Sequence, residues 1–186
     1  MHFLLMTGSN TIRNSARARE DAIAWLAANA FGDMELEIVE SRTEEFPPGW
    51  VYYYQSALFL RTREIEHSLI GNAPVFVPRN GASPMFISYH RPTSESMEAF
   101  AFCADANAAP RAEIELKGWI KGARKISANK AIRAHSSMGL SDAHDAVGRC
   151  LAGHVVKIQT ESVAAARELV SELTGFGFIA AVAYGD

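Results

Sequence analysis

Hydrophobic and polar positions in the first part of the chain follow first a helical period and then a strand period. From Ser15 to about Ala30, apolar residues recur at helical spacing, which predicts an amphipathic helix with Ser15 as its N-cap. Residues 34–38 alternate apolar and acidic side chains, as in a strand with one solvated face. Residues 50–54 are aromatic or β-branched, which predicts a second strand. The apolar face of the helix consists of Ile23, Leu26, Ala27 and Ala30.

Further segments complete this predicted domain. Residues 75–77 lie between Pro74 and Pro78, a setting that favours a short edge strand. Residues 79–81 have the composition of a hairpin turn and lead to a strand over 85–89. Residues 94–103 have a helical pattern. A helix, an antiparallel meander and a second helix make a small α+β domain.

The second part of the chain predicts the order β-α-α-β-α-β. Strands are expected at 112–120, 154–160 and 178–183. Helices are expected at 126–137, from the capping residue Ser141 onward, and between residue 160 and Gly175. This order builds one three-stranded sheet covered by three helices. The predicted fold class of the whole chain is therefore α+β, with two small domains.

The charged residues divide the chain at the same place. Residues 1–110 contain eight arginines, no lysine and thirteen acidic residues, whereas residues 111–186 contain five lysines, five arginines and eight acidic residues. The segment 104–110 is small and polar and ends in Pro110, which disfavours helix in the residue before it. We therefore predict domains at 1–103 and 111–186, joined by a linker at 104–110.

Composition narrows the class of protein. The chain has 186 residues, of which 48% are hydrophobic and 21% charged, the composition of a soluble globular protein. The apolar run at residues 3–6 is too short to cross a membrane, and no basic residue precedes it as in a signal peptide, so we expect a cytoplasmic protein. A net charge of -3 argues against a general nucleic-acid binder.

Motifs for catalysis, cofactors and metals are missing from the sequence. Gly175–Ala180 fits G-x-G-x-x-A, but a predicted strand follows it, so no helix N-terminus is available for a pyrophosphate. Two cysteines form neither a disulfide framework nor a metal knuckle. Cys103 with His90 is the one pair that could act as thiol and base, and no third residue supports it. We expect no enzyme, no cofactor and no metal.

One set of motifs in the first domain is more specific. Gly49-Trp50 is followed at a fixed distance by Gly71-Asn72-Ala73-Pro74 and an apolar strand. Over roughly residues 14–103 this arrangement resembles the YrhB-like immunity family (immunity protein 35) of bacterial polymorphic-toxin systems. The resemblance implies a protein-binding module that sits beside a toxin and neutralises it without catalysis.

Tight neutralisation needs aromatic or arginine anchors at an interface. Tyr52 and Tyr54, beside Arg61 and Arg63, are the candidate anchors, provided that the tyrosine side chains face solvent. Trp50 fits a core position better than an interface. Gly71 is expected to adopt a positive φ.

The second domain has its own resemblance. Residues 125–147 are similar, without a gap, to the C-terminal domain of the large-subunit ribosomal stalk protein, with Lys125-Ile126, Arg133 and Gly139-Leu140 in the positions of that family's pattern. In that family the helical pair recruits translation factors, so the resemblance implies a partner-binding face. The residues of this face are Lys125, Ile126, Asn129, Lys130, Arg133 and His144.

Six basic residues and no acidic residue lie between Glu115 and Asp142. This run is consistent with a solvated face or with a docking surface for an acidic protein, since complementary charge accelerates association. Nucleic acid is the least favoured partner because no aromatic residue lies between Ile120 and Val147 to stack on bases.

Three functions remain open at this point. The first is a cytoplasmic immunity protein that occludes a cognate polymorphic or contact-dependent toxin. The second is an adaptor whose stalk-like domain recruits a translation factor. The third is a holdase chaperone in which residues 50–54 form an exposed apolar patch. A toxin gene immediately beside the gene of this protein is expected only for the first.

Overall fold

A computed structural model describes residues 12–29 and 34–185 of the chain. The chain divides into two compact units, one ending at Ala101 and the other beginning at Phe102. Both units combine helices with antiparallel sheets, so the predicted α+β class is confirmed. None of the helices in the described ranges is long and apolar enough to cross a bilayer.

The N-terminal unit contains a four-stranded sheet, a separate pair of strands and three helices. Its helices are α1 (Ser15–Asn29), α2 (Ala57–Thr62) and α3 (Thr93–Cys103), the last ending just inside the second unit. Its strands are β1 (Leu36–Ile38), β2 (Glu44–Phe46), β3 (Gly49–Tyr52), β4 (Tyr54–Ser56), β5 (Val75–Pro78) and β6 (Met85–Phe86). The larger sheet has the order β2-β3-β5-β6, and β1 pairs with β4; all pairs are antiparallel.

Helix α1 differs from its prediction in its cap and its buried face. The side chain of Asn14, not that of Ser15, accepts a hydrogen bond from the backbone N–H of Arg17 at 2.9 Å, so Asn14 is the N-cap. The buried side chains are those of Ala18, Ala22 and Leu26. Of the predicted face, Ile23 and Ala27 are exposed and Ala30 lies outside the described residues. Two of the three buried side chains are alanines, which allows the helix to pack close to the sheet.

Strands β3 and β5 are covered on both faces. Trp50 and Tyr52 lie on the face that packs against α1. Phe76 points to the other face and meets the ring of Phe100 on α3 edge to face, with ring centroids 4.8 Å apart. All four residues of each strand are therefore buried.

Three predictions about this sheet differ from the structure. Strand β5 was predicted at an edge of the sheet but lies in its interior, between β3 and β6. The sheet tolerates the two prolines because Pro74 precedes the strand and Pro78 ends it, so neither removes a hydrogen bond from its middle. Residues 50–52 are buried, so the exposed apolar patch that the holdase hypothesis requires does not exist. The predicted strand over 85–89 is shortened to the two residues of β6.

Gly49 allows β3 and β5 to approach each other. A Cβ added at this residue would collide with the backbone carbonyl oxygen of Val77, and the Cα of Pro78 would lie 3.0 Å from it. Neither backbone atom can move without breaking the ladder between the two strands. The close approach of β3 and β5 therefore requires a glycine at position 49, directly before Trp50.

The C-terminal unit has the predicted order β-α-α-β-α-β. Its strands are β7 (Pro110–Trp119), β8 (Val156–Gln159) and β9 (Phe178–Tyr184), and its helices are α4 (Lys125–His135), α5 (Leu140–Leu151) and α6 (Val163–Gly175). The antiparallel sheet has the order β8-β7-β9. Ile114 and Leu116 in the central strand are fully buried. Ser141 lies in the first turn of α5 and is not its cap, because the N-cap is Gly139.

The predicted linker is less solvated than its composition indicates. Ala106 is fully buried and Ala108 is 8% exposed. Ala104 has φ 61°, a left-handed conformation that ends α3. Phe102 lies over the sheet of its own unit, 6.1 Å from the ring of Tyr184 and 4.8 Å from the Lys117 ammonium. These contacts fix where the second unit begins.

Replacing Gly49 by alanine tests the close approach of β3 and β5. We predict that Gly49→Ala lowers the free energy of unfolding by about 3 kcal/mol or more, because the new methyl group overlaps backbone. Gly148→Ala is the matched control: a Cβ there meets nothing within 4 Å inside α5, so helix propensity raises stability by up to about 1 kcal/mol. Denaturant unfolding of both variants measures the difference, and equal stabilities would contradict the packing described here.

We predict that the two units fold independently of each other, because each has its own buried core. We expect the fragments 1–101 and 102–186 each to unfold cooperatively when heated. Calorimetry on the separate fragments checks this. Loss of a cooperative transition in both fragments would show that the units depend on each other.

Candidate functional site

Tyr52 does not meet the condition set for an interface anchor. Its side chain is 2% exposed and lies in the core between α1 and the sheet. Burial raises the pKa of its phenol to about 12, with a smaller contribution from the Glu40 carboxylate. Residue 52 is therefore part of the fold and not of a surface, because the two helices cover both faces of β3.

Tyr54 is half-buried and also serves the fold. Its ring lies 6.4 Å from that of Phe86, and burial raises the pKa of its hydroxyl. The side chain contributes to an apolar groove of about 230 Å³. It is not a solvent-facing anchor.

The two predicted arginines lie at the surface near the end of α2. Arg61 is within 3.6 Å of Glu35 and 3.8 Å of Glu37, so its charge is offset within the unit. Arg63 is exposed with φ 64° and has no carboxylate partner among the described residues. Of the two predicted arginine anchors, Arg63 is therefore the one whose charge remains available for an ion pair with a partner protein.

The loop that follows these arginines is held in place by Gln55 on β4. The side-chain amide of Gln55 donates to the Leu69 carbonyl at 3.0 Å and accepts from the Leu69 N–H at 2.5 Å. One side chain thus makes the two hydrogen bonds that a paired strand residue would make. The same amide oxygen also accepts from the Ser56 N–H at 2.8 Å.

A second amide side chain holds the other end of the loop. Asn72 donates to the carbonyl of Tyr54 at 3.0 Å. Between the two attachments, Gly71 adopts the positive φ predicted from the sequence, at 74°. The Tyr89 hydroxyl lies close by, 3.8 Å from where a Cβ of Gly71 would be. Residues 69–72 therefore form a fixed turn.

This turn displays apolar side chains to solvent. Ile70, at its tip, is 85% exposed, and Ile65, in the preceding 3-10 turn, is 74% exposed. Tyr89, next to Gly71, is 55% exposed. We call Ile65, Ile70 and Tyr89, together with Glu64 and Glu66 on either side of Ile65 in the sequence, the Ile70 surface.

The acidic residues of the Ile70 surface have a weak internal partner. Glu64 lies 3.2 Å and Glu66 lies 3.7 Å from the imidazole of His67. The three side chains bring their ligand atoms within 4.8 Å of one another, a spacing compatible with a metal ion, but both glutamates are exposed. The cluster is better described as an exposed acidic edge.

The stalk-like prediction places its residues on helix α4. Lys125, Lys130 and Arg133 are exposed, and Ile126 is 75% exposed. Leu140, at the start of α5, is 64% exposed and was not among the predicted residues. We call Lys125, Ile126, Lys130 and Arg133 the α4 face.

The remaining two predicted residues of the second unit differ from each other. His144 is exposed on α5. Asn129 is half-buried, and its amide oxygen is buried without a hydrogen bond from the described residues. Asn129 therefore contributes less surface than its neighbours on α4.

The two cysteines lie in different environments. Cys150 is buried, and burial raises the pKa of its thiol, which disfavours the reactive thiolate. Cys103 is exposed at the end of α3 and directs its thiol to the carbonyl of Asp105 at 3.9 Å. His90 stacks on Tyr89 with ring centroids 4.0 Å apart.

Comparison with known proteins bears on the first unit. Residues 16–101 match the model of a family described as Immunity protein 35. The match ends where the N-terminal unit ends, so the resemblance predicted for this part of the chain is confirmed. The stalk-like resemblance of the second unit has no such support and stays a prediction. No curated protein and no solved structure matches the chain.

Removing the amide of Gln55 tests whether it fixes the loop. We predict that Gln55→Met, which keeps the side-chain length, speeds hydrogen exchange of the Leu69 amide by at least about tenfold, because the loss of hydrogen bonds costs about 1–2 kcal/mol locally. Gln159→Met in the other unit is the control and leaves Leu69 unaffected. Unchanged exchange at Leu69 in Gln55→Met would show that the loop is held by other contacts.

Proposed function

We propose that this protein is a cytoplasmic bacterial immunity protein that binds a cognate polymorphic or contact-dependent toxin and neutralises it by occlusion. The match of residues 16–101 to Immunity protein 35 carries the proposal. It covers residues 16–101 of the structural unit that ends at Ala101, and this unit has its own core.

Neutralisation by occlusion depends on binding energy alone. A toxin that is lethal at low copy number demands a complex in the nanomolar range or tighter, which is about 12 kcal/mol of binding free energy. A few buried side chains usually supply most of this energy, surrounded by contacts that exclude water. Among the described residues, the large apolar side chains with the highest exposed fraction are those of four isoleucines: Ile70, Ile12, Ile126 and Ile65.

A second candidate function rests on the C-terminal unit. Ile126 and Leu140 begin two adjacent helices and are both exposed, with Lys125 and Lys130 beside them. An apolar centre with a basic rim suits an acidic protein, as expected for an adaptor that recruits a translation factor. Such an adaptor has no need of a toxin gene beside its own.

A titration distinguishes stoichiometric binding from catalysis. The probe is the purified product of the toxin gene adjacent to the gene of this protein. We predict that toxin activity falls linearly with added protein and reaches its minimum near one protein per toxin. The double variant Cys103→Ala, His90→Ala is the control and protects as well as the wild-type protein, because binding requires neither group.

Two results would contradict the proposal. The first is the absence of a toxin gene beside this gene, or a product of that gene that does not bind the wild-type protein. The second is inactivation of an excess of toxin by substoichiometric protein, which would reveal turnover.

A further inference from the structure

We infer that the Ile70 surface is the site that binds the toxin, and that it fits an apolar pocket with a basic rim on that toxin. The inference rests on the proposed function and adds to it the location of the interface and the chemistry of the partner. Three features of the structure support it: a fixed loop, an exposed apolar tip and a local excess of negative charge.

The fixed loop lowers the cost of binding. Gln55 and Asn72 hold the backbone on either side of Ile70 with three hydrogen bonds. Ordering a mobile loop at an interface consumes free energy that would otherwise appear as affinity. Because this loop is already ordered, burial of its tip contributes to affinity without that loss.

Exposure of the tip has no role in folding. Ile70 keeps 85% of its surface in water, whereas the neighbouring Leu69 is partly buried. An apolar side chain with this exposure contributes little to the core formed by the described residues of the unit. Ile65, five residues before Ile70, and Tyr89, whose hydroxyl lies near Gly71, add exposed apolar and aromatic area. Tyrosine is enriched among the residues that dominate interfaces.

The negative charge of the N-terminal unit is compensated almost everywhere else. Most of its carboxylates lie within 4 Å of an arginine: Glu20, Asp21, Glu35, Glu37, Glu40, Glu45 and Glu95. Glu64 and Glu66 have only His67 as a partner within the described ranges. Their side chains are 60% and 74% exposed, so their charge is available to a second protein.

The negative charge of Glu64 and Glu66 determines which surface charge a partner should carry. Two adjacent carboxylates attract a basic surface and repel an acidic one, which raises the association rate with the former. The neighbouring Arg63 is an exposed cation next to Glu64 in the sequence, and together with the two carboxylates it leaves one negative charge in excess. The α4 face has the opposite sign and lies in the unit outside the family match.

Substitution of the tip tests the location of the interface. The probe is the product of the adjacent toxin gene, with the full chain as its partner. We expect Ile70→Asp to raise Kd by at least about thirtyfold, the change that defines an interface hot spot. Ile126→Asp is the matched control, because Ile126 is an isoleucine of the other unit with 75% of its surface exposed, and it changes Kd less than twofold. Circular dichroism verifies that both variants are folded.

Substitution of the carboxylates tests the charge of the partner. We expect the double variant Glu64→Gln, Glu66→Gln to slow association several-fold in low salt and to match the wild type in 0.5 M salt, because screening removes the difference. Glu161→Gln, Glu168→Gln in the other unit is the control and leaves the association rate unchanged. A faster association of the first variant would mean an acidic partner and would overturn the inference.

The outcomes separate this inference from the proposed function. If the wild-type protein binds the toxin, and Ile126→Asp rather than Ile70→Asp weakens binding, the inference is wrong and the proposed function stands. If neither substitution weakens the complex, the inference is equally wrong. If the wild-type protein does not bind the toxin, the proposed function fails and the inference fails with it.

Discussion

The close contact between β3 and β5 is the constraint on which the N-terminal unit depends. Gly49 allows the backbones of the two strands to approach each other. Ala18 and Ala22 allow α1 to pack closely against one face of these strands. With α3 on the opposite face, every residue of both strands is buried. These two strands therefore have no face left for a partner, which favours binding by the loops that leave their ends.

That constraint explains the position of the Ile70 surface. The loop from α2 to β5 cannot contribute to the core, and its backbone would be poorly ordered if it were solvated alone. Two amide side chains, from Gln55 and Asn72, supply the hydrogen bonds that a neighbouring strand would have supplied. The loop is therefore both exposed and ordered, the combination that favours tight binding.

The sequence predicted the elements better than it predicted the surfaces. The order of the C-terminal unit follows from local periodicity and turn residues, which are short-range properties, and it is confirmed. Whether Tyr52 faces water depends on helices α1 and α3, which are distant in sequence, and its burial was not foreseen. The hydrogen bonds between the Gln55 side chain and Leu69 join residues fourteen positions apart, and no periodic pattern in the sequence indicates them. Gly71 was the one clue to the turn, because a glycine before Asn-Ala-Pro indicates a positive φ.

A hydrogen-exchange footprint of the complex with the product of the adjacent toxin gene tests the central claim most directly. If the N-terminal unit binds through its fixed loop, the amides of residues 64–72 and of Tyr89 gain protection on binding, and those of α4 do not. Protection confined to α4 and the start of α5 would contradict the account and assign the interface to the C-terminal unit.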